Sequence, residues 1–349
     1  MNARKTYVWI AAAGTGGHLF PAQTLAKYLE HRQVSCLFVG KGLTTNAFFA
    51  KDMFAFEEIC AAPCSLRKIY MFCKETWRGI RKTMALLRIR RPSLVVGFGS
   101  YHTFPVLVGA LLKRVPVVLF EANVMPGRVI RLFSYLSRCT AVQFVEAKAH
   151  LGKRCVVVDV PLPSDAMSVD KQEAYRHFGL DAKKKTLLLV GGSLGAQFIN
   201  TEVAKALHVL DPSVWQVLHI GGRGVSCEEI QARYKTMHLP SSVIAFSKEM
   251  HYAWKIADRA ICRAGAVTCA EILAFNVPSL LIPYPLAKDN HQLHNARALV
   301  CRMPSSMWQE QKEGFLEDKI QKLCTSSSLP QERHITCSLE SWIYQEFCQ

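Results

Sequence analysis

The sequence predicts an α/β protein made of two doubly wound units, each a parallel sheet with crossover helices. Three observations point there. Short apolar runs alternate with amphipathic stretches along the 349 residues, as strands alternate with helices in βαβ units. The alternation restarts after a proline-bearing segment near residue 160. Glycine-rich turns follow the apolar runs at four places, where such sheets bind their ligands.

In the first half the strand candidates are 6–13, 35–39, 94–98, 115–121 and 140–145. Helical stretches lie between them, among them 21–32 and 125–137, and Pro21 suits the first turn of its helix. A further apolar run, 155–160, leads into Pro161-Leu162-Pro163-Ser164-Asp165, a linker because two prolines and polar residues break regular structure. Beyond it come strand candidates 186–190, 215–220, 242–246, 259–262 and 278–282. Stretches 308–323 and 331–347 read as helices. The predicted domains are 1–160 and 161–329, followed by a terminal helix in about 330–349. Two such units facing each other place a cleft between their strand ends.

Half of the residues are hydrophobic and one fifth are charged, a globular composition with apolar material for two cores. Arg4 and Lys5 precede an apolar run at 8–13, but the run is too short for a signal peptide and flows into a glycine turn. The longest apolar candidate, 104–120, is broken by Lys113-Arg114, so no transmembrane helix is expected. Thirteen scattered cysteines without a C-x-x-C pair argue against zinc and for a reduced, cytosolic protein. Lys and Arg exceed Asp and Glu by 43 − 27 = 16. That excess suits an anionic partner, or only solubility.

The glycine turns are Gly14-Thr15-Gly16-Gly17-His18, Gly97-Phe98-Gly99-Ser100, Gly191-Gly192-Ser193-Leu194-Gly195 and Gly221-Gly222-Arg223-Gly224. Glycine lets backbone approach a ligand, and a following helix presents N–H groups and its dipole to phosphate. The dinucleotide fingerprint G-x-G-x-x-G fails at the first two turns, where Leu19 and His102 take the third glycine's place. No G-x-x-x-x-G-K-[ST] is present, which excludes a P-loop NTPase. No Asp-x-Asp metal pair is present either, so a diphosphate here would rely on helix dipoles and basic side chains.

The segment from Gly14 to Ala22 resembles the first loop of the MurG family of peptidoglycan N-acetylglucosaminyltransferases. Gly97-Phe98-Gly99-Ser100-Tyr101 resembles its second glycine loop, and Gly191 to Ala196 with Asn200 its third. Cys262 to Glu271 resembles its nucleotide-sugar segment, and Asp289-Asn290-His291-Gln292 with Asn295-Ala296 its sugar-reading segment. Phe120-Glu121-Ala122-Asn123 with Gly127 is a looser match. The matches run in order over most of the chain. They imply a GT-B fold, two Rossmann-like doubly wound domains facing across a cleft. They also imply an inverting transfer of N-acetylglucosamine from UDP-N-acetylglucosamine to the C4 hydroxyl of undecaprenyl-pyrophosphoryl-muramyl pentapeptide, with no metal and no cofactor. The first domain would bind the acceptor and the second the donor, and the terminal helix would return to the first domain. Such an enzyme is peripheral, on the cytoplasmic face of the bacterial inner membrane. A diacylglycerol glycosyltransferase of the same fold would share the donor segment and the membrane patch. A non-catalytic membrane scaffold is the reading from another class.

Each candidate residue carries two readings. His18 suits a general base that takes the acceptor's proton at neutral pH, and equally a structural or phosphate-binding histidine. Glu121 is the second catalytic candidate, sharing or orienting that role with Asn123. Thr15, Gly16 and Gly17 form the first substrate loop. Ser193 and Gly195 would meet the donor diphosphate, although Ser193 also fits a helix N-cap. Ala266, Val267 and Thr268 belong to the nucleotide-sugar segment. Glu271 either binds both ribose hydroxyls or stabilises a helix N-terminus. Ser247 aligns with a backbone contact to uracil, and Gln292 reads sugar hydroxyls or merely begins a helix.

Three departures from the family stand out. Its linker Asn-Pro-Val-Arg is replaced by Val160-Pro161-Leu162-Pro163, without the arginine that helps at the diphosphate; Arg263 or Arg223 is the candidate substitute. Ala13 and Ser100 stand where the family carries glycine, a minor change if φ is negative at both.

The positive charge concentrates at 67–91, where Arg67, Lys68, Arg78, Arg81 and Lys82 interleave with Ile69, Phe72, Trp77, Ile80 and Leu87. A basic amphipathic helix of this kind suits an anionic membrane surface, or a core helix with a solvated basic face. No helix-turn-helix, zinc finger or RNA-binding motif accompanies it, so no nucleic-acid partner is expected.

Overall fold

The structure is a computed structural model that describes residues 6–63, 69–163, 166–192, 195–303, 305–310, 315–326 and 337–349. The chain divides into two compact units, Met1–Leu162 with Ile335–Gln349, and Pro163–His334.

Among the described residues the first unit holds a seven-stranded parallel sheet. Its strands are β1 (Tyr7–Ala11), β2 (Ser35–Gly40), β3 (Phe56–Glu58), β4 (Leu94–Gly97), β5 (Val117–Glu121), β6 (Cys139–Val142) and β7 (Cys155–Val157). The order is β3-β2-β1-β4-β5-β6-β7. Successive strands run outward one way from β1 and the other way from β4, so the topological switch lies between those two. The helices are α1 (Gly16–His31), α2 (Ile69–Ile89), α3 (Phe104–Leu112) and α4 (Arg128–Phe133). Trp9, Val39, Val95, Leu107, Leu119 and Phe133 belong to the buried core between sheet and helices.

The second unit's sheet has six strands among the described residues: β8 (Lys185–Val190), β9 (Trp215–Ile220), β10 (Ser241–Ile244), β11 (Arg259–Cys262), β12 (Ser279–Leu281) and β13 (Ser306–Met307). Its order is β10-β9-β8-β11-β12-β13, which puts the switch between β8 and β11. The helices are α5 (Lys171–Phe178), α6 (Ala204–Ala206), α7 (Cys227–Thr236), α8 (Met250–Ile256), α9 (Ala266–Phe275), α10 (His291–Val300) and α11 (Leu316–Thr325). Helix α5 is capped at both ends: Asp170 accepts from Glu173 N, and Gly179 closes it at φ 65°. A π-helical turn, Ile199–Val203, precedes α6. Leu187, Leu189, Val217, Ile261, Leu280 and Ile320 share one buried cluster.

The last helix, α12 (Leu339–Phe347), belongs to the first unit. Leu339 N donates to Asp159 O, and Asp159 N to Cys337 O. Tyr28 on α1 meets Ser341 at 3.1 Å, and its ring lies edge-on to Tyr344.

Several local expectations change. Helix α1 begins at Gly16, so Pro21 lies inside it rather than in its first turn. Gly16 and Gly17 already take up the helix, and Pro21 has no N–H to donate to the Gly17 carbonyl. The helix expected over 125–137 shortens to α4. Trp308 is buried after the edge strand β13, and the helix behind it starts only at Leu316. The expected helix over 331–347 is described from Leu339; residues 331–336 lie outside the described residues.

Candidate active site

In the first unit the loops after β1, β4 and β5 carry the candidate residues to the carboxyl ends of the strands. Gly14 bends the chain at φ 97°, and its carbonyl accepts from Asn46 Nδ2 at 2.6 Å. Thr15 caps α1 without a side-chain bond to the helix backbone. Its hydroxyl lies 3.3 Å from His18 Nδ1 instead. A proton on Nδ1 would donate to Thr15 Oγ1 and leave Nε2 as the acceptor. Burial, and secondarily the neighbouring His102, push the His18 pKa down to about 4. The imidazole is therefore neutral at pH 7 and able to receive a proton.

The β4 loop comes against this ring, for a Cβ at Gly99 would sit 3.8 Å from His18 Nε2. Ser100 occupies φ 70° and ψ 148°, so the condition under which its replacement of glycine would be minor is not met. This region is nearly exclusive to glycine. Its Oγ is held 2.6 Å from His102 Nδ1, and Tyr101 stacks on the His102 ring. Ala13 has no positive φ, so only Ser100 carries strain. Ser100→Gly should stabilise the protein by about 1 kcal/mol, since relief of strain exceeds one lost hydrogen bond. A urea titration followed by tryptophan fluorescence checks this; an unchanged or lower midpoint would show the Ser100–His102 bond to be the larger effect.

Glu121 is 6 % exposed at the end of β5. One carboxylate oxygen accepts from Asn123 N and Asn123 Nδ2 at 2.9 and 3.0 Å, the other from Gly127 N at 2.9 Å. The geometry suits a group that holds the 122–127 turn and orients Asn123.

In the second unit the third glycine turn follows β8. Gly192 and Gly195 have φ of 90° and 79°. A Cβ on Gly195 would overlap the Gly221 carbonyl, so the third and fourth glycine loops lie against each other. Ser193 lies outside the described residues. Asn200 bridges the two loops. Its Nδ2 donates to Gly221 O at 2.9 Å, and its Oδ1 lies 3.0 Å from His219 Nε2. With Oδ1 accepting, Nε2 carries the histidine's hydrogen, and Nδ1 accepts from Tyr234 O–H at 2.7 Å. This network is satisfied and buried; the spacing of Asn200, His219 and Tyr234 along the chain gave no hint of it.

Beyond β11, Gly265 begins α9, so Ala266, Val267 and Thr268 form its first turn and Glu271 follows on the next. Asn295 on α10 donates to Ala264 O at 3.1 Å and secures this loop. Burial raises the Glu271 pKa to about 8, opposed in part by the Trp254 indole N–H. That N–H is buried and meets no acceptor at full hydrogen-bond geometry. Ser247 Oγ accepts from Glu249 N at 3.0 Å, which turns its side chain onto its own loop. Gln292 begins α10 beside His291, and its Oε1 accepts from Tyr284 N at 2.9 Å. Arg263 is 8 % exposed and bonds Glu310 and the Ile282 carbonyl. It is thereby committed within the fold and is no substitute for a linker arginine.

On α2 the buried face is made of Thr76, Gly79, Thr83 and Leu87. A Cβ on Gly79 would overlap the Cys60 carbonyl, so small residues let this helix lie close. The large residues face out: Ile69, Tyr70, Met71 and Trp77 are 48–74 % exposed. Arg81 stacks on Trp77 at 4.6 Å, and Arg78 is exposed beside Glu75. Phe72 and Ile80 are half-buried, Phe72 against Phe104. Arg67 and Lys68 lie outside the described residues. No helix among the described residues is long and apolar enough to cross a membrane.

Two family models match the chain: the glycosyltransferase family 28 N-terminal domain over residues 8–142 and the family 28 C-terminal domain over 186–341. A UDP-N-acetylglucosamine--N-acetylmuramyl-(pentapeptide) pyrophosphoryl-undecaprenol N-acetylglucosamine transferase of Protochlamydia amoebophila is 38 % identical over 294 residues, 82 % of this chain and 78 % of that protein. The transferase of the same name from Caldanaerobacter subterraneus is 33 % identical over 301 residues, 83 % and 82 % of the two chains. The crystal structure of Acinetobacter baumannii MurG superposes with a TM-score of 0.78 at 24 % identity, covering 98 % of this chain and 99 % of that one. The fold is thus GT-B, and the chain belongs to glycosyltransferase family 28, within its MurG family of N-acetylglucosamine transferases.

Proposed function

We propose that this glycosyltransferase moves N-acetylglucosamine from UDP-N-acetylglucosamine to the C4 hydroxyl of the muramyl sugar in undecaprenyl-pyrophosphoryl-muramyl pentapeptide, with inversion and without a metal. One observation carries the reading. The segments shared with the family gather at the carboxyl ends of the strands, around the switch point of each sheet, where doubly wound sheets bind ligands.

The first unit takes the acceptor and the second the donor. His18 Nε2 accepts the C4 hydroxyl proton as that oxygen attacks the anomeric carbon from the side opposite UDP. The bond to UDP breaks with its electron pair going to the diphosphate. The third glycine loop and the first turn of α9 meet that growing charge with N–H groups and helix dipole. Glu271 holds the ribose hydroxyls, the Ser247 backbone the uracil, and Gln292 the sugar. Glu121 orients Asn123 on the acceptor side.

The test is transfer of radiolabelled sugar from UDP-N-acetylglucosamine to the lipid-linked muramyl pentapeptide, in detergent with chelator. Product is expected. UDP binding without product, or transfer to diacylglycerol in its place, would sink the acceptor half of the reading.

The exposed face of α2 docks on the anionic cytoplasmic surface of the inner membrane, Ile69 and Trp77 entering the interface and Arg78 and Arg81 meeting headgroups. Replacing Arg78, Arg81 and Lys82 together with alanine should weaken binding to anionic vesicles about tenfold or more at low salt. A sedimentation assay measures it; equal binding would leave this face as ordinary solvated surface.

A further inference from the structure

We propose that Ser100 and His102, on the loop after β4, hold the acceptor sugar: Ser100 fixes the imidazole so that its Nε2–H donates to a sugar oxygen beside the attacking hydroxyl. The inference rests on the acceptor reading of the first unit and assigns two residues within it. The pair stands at the switch point of that sheet. Strand β4 lies beside β1 with Gly97 opposite Ala11, and Phe98 N donates to Ala11 O at 2.9 Å. The two loops beyond interleave. A Cβ on Gly99 would lie 3.8 Å from His18 Nε2, and one on Gly14 would lie 3.4 Å from His102 Nδ1 and 3.5 Å from Ser100 Oγ. The two imidazoles are near enough that charge on His102 disfavours charge on His18.

Ser100 keeps a side chain at φ 70° and ψ 148°, where glycine alone is relaxed. Strain of this kind persists only where the surroundings hold it, and it collects at functional sites. Here it fixes a ring. Ser100 Oγ lies 2.6 Å from His102 Nδ1 and accepts from His102 N. Tyr101 stacks on the same imidazole with centroids 3.9 Å apart, and Thr103 Oγ1 closes the turn by donating to Gly99 O at 2.7 Å. With a backbone N–H already on Ser100 Oγ, the serine's own hydrogen goes to Nδ1, which leaves the ring hydrogen on Nε2. His18 has the reverse arrangement, Nδ1 toward Thr15 and Nε2 as acceptor. One ring therefore takes a proton while its neighbour donates a hydrogen bond. Among the described residues no hydrogen bond engages His102 Nε2, and the side chain is only half-buried. Burial, and secondarily Lys41, push the His102 pKa down. The ring is thus neutral at pH 7, a donor matched to an uncharged sugar oxygen.

The experiment measures transfer from UDP-N-acetylglucosamine to the lipid-linked muramyl pentapeptide, with acceptor and donor constants determined separately. It compares the wild type with His102→Ala, His102→Gln and Ser100→Gly, and urea midpoints establish that each is folded. His102→Ala should lower acceptor kcat/KM about 3- to 10-fold, the contribution of one neutral hydrogen bond, and leave donor KM within about twofold. Glutamine should restore part of the loss, because its amide N–H reaches the place of Nε2–H. Ser100→Gly should lower acceptor kcat/KM about 2- to 5-fold while raising the urea midpoint. Lost activity with gained stability is a pairing that a merely structural serine would not give. Unchanged acceptor kcat/KM in folded His102→Ala overturns the assignment, and so does an equal loss toward donor and acceptor. Full acceptor kcat/KM in Ser100→Gly removes Ser100 as the positioning residue. Failure of the wild-type protein to use this acceptor would bring down the acceptor reading itself, and this assignment with it.

Discussion

His18→Ala is expected to lower kcat by about 10²- to 10⁴-fold, the range over which a positioned general base contributes. Donor KM should stay within about twofold if the first unit, which holds the ring, takes the acceptor as proposed. The direction of the pKa shift adds a second readout. Burial holds the free imidazole near 4 rather than 6.5. The acid limb of acceptor kcat/KM should therefore fall near pH 4, and activity should be flat across neutrality. The variant should lose that limb along with its turnover. A collapse of donor affinity with little change in kcat would make His18 a phosphate ligand and end its assignment as base. Thr15→Val tests the same geometry more gently. Without the hydroxyl 3.3 Å from Nδ1, the productive tautomer is less favoured and kcat alone should fall.

Glu271→Ala is expected to raise donor KM about 10- to 100-fold, since hydrogen bonds to a charged acceptor contribute roughly 1.5–3 kcal/mol each. Burial holds this carboxyl at about pKa 8, so without donor it is largely protonated at neutral pH. Two ribose hydroxyls donating to it favour the carboxylate. Donor affinity should therefore rise with pH up to about 8, and binding at pH 7 should release a proton. Calorimetry in buffers of different ionisation enthalpy measures that release. Glu271→Gln should abolish it while losing less affinity than alanine. The sign for folding is opposite. Between the ordinary carboxyl range and pH 8 the unfolded chain binds fewer protons, so the folded protein on its own loses stability as pH rises through that window. An unchanged donor KM in Glu271→Ala would remove the ribose assignment.

Local pattern determined much of this protein. The apolar runs at 35–39, 94–98, 186–190 and 215–220 became buried parallel strands, because each needs only its own composition and flanking turns to be read. The glycine turns stand at strand ends, and Gly14, Gly99, Gly192 and Gly195 have the positive φ that glycine supplies. The order of motifs was enough for family and fold. The short edge strands β3 and β13 were not legible, since three residues or fewer show no periodicity and only their partners make them strands.

Tertiary contacts decided the rest. Arg263 reads as a candidate substitute for the linker arginine until Glu310, 47 residues away, is found beside it. Ser100 looks harmless until its loop forces a positive φ. The apolar residues of α2 fit either a membrane surface or a core until close approach at Gly79 gives the buried face to Thr76, Gly79, Thr83 and Leu87 and leaves Ile69, Met71 and Trp77 exposed. Glu271 acquires its raised pKa only through burial, which outweighs the opposing Trp254 indole. Periodicity reports on neighbours three or four residues apart, whereas burial, backbone strain and charge pairing depend on groups the chain brings together from far along its length.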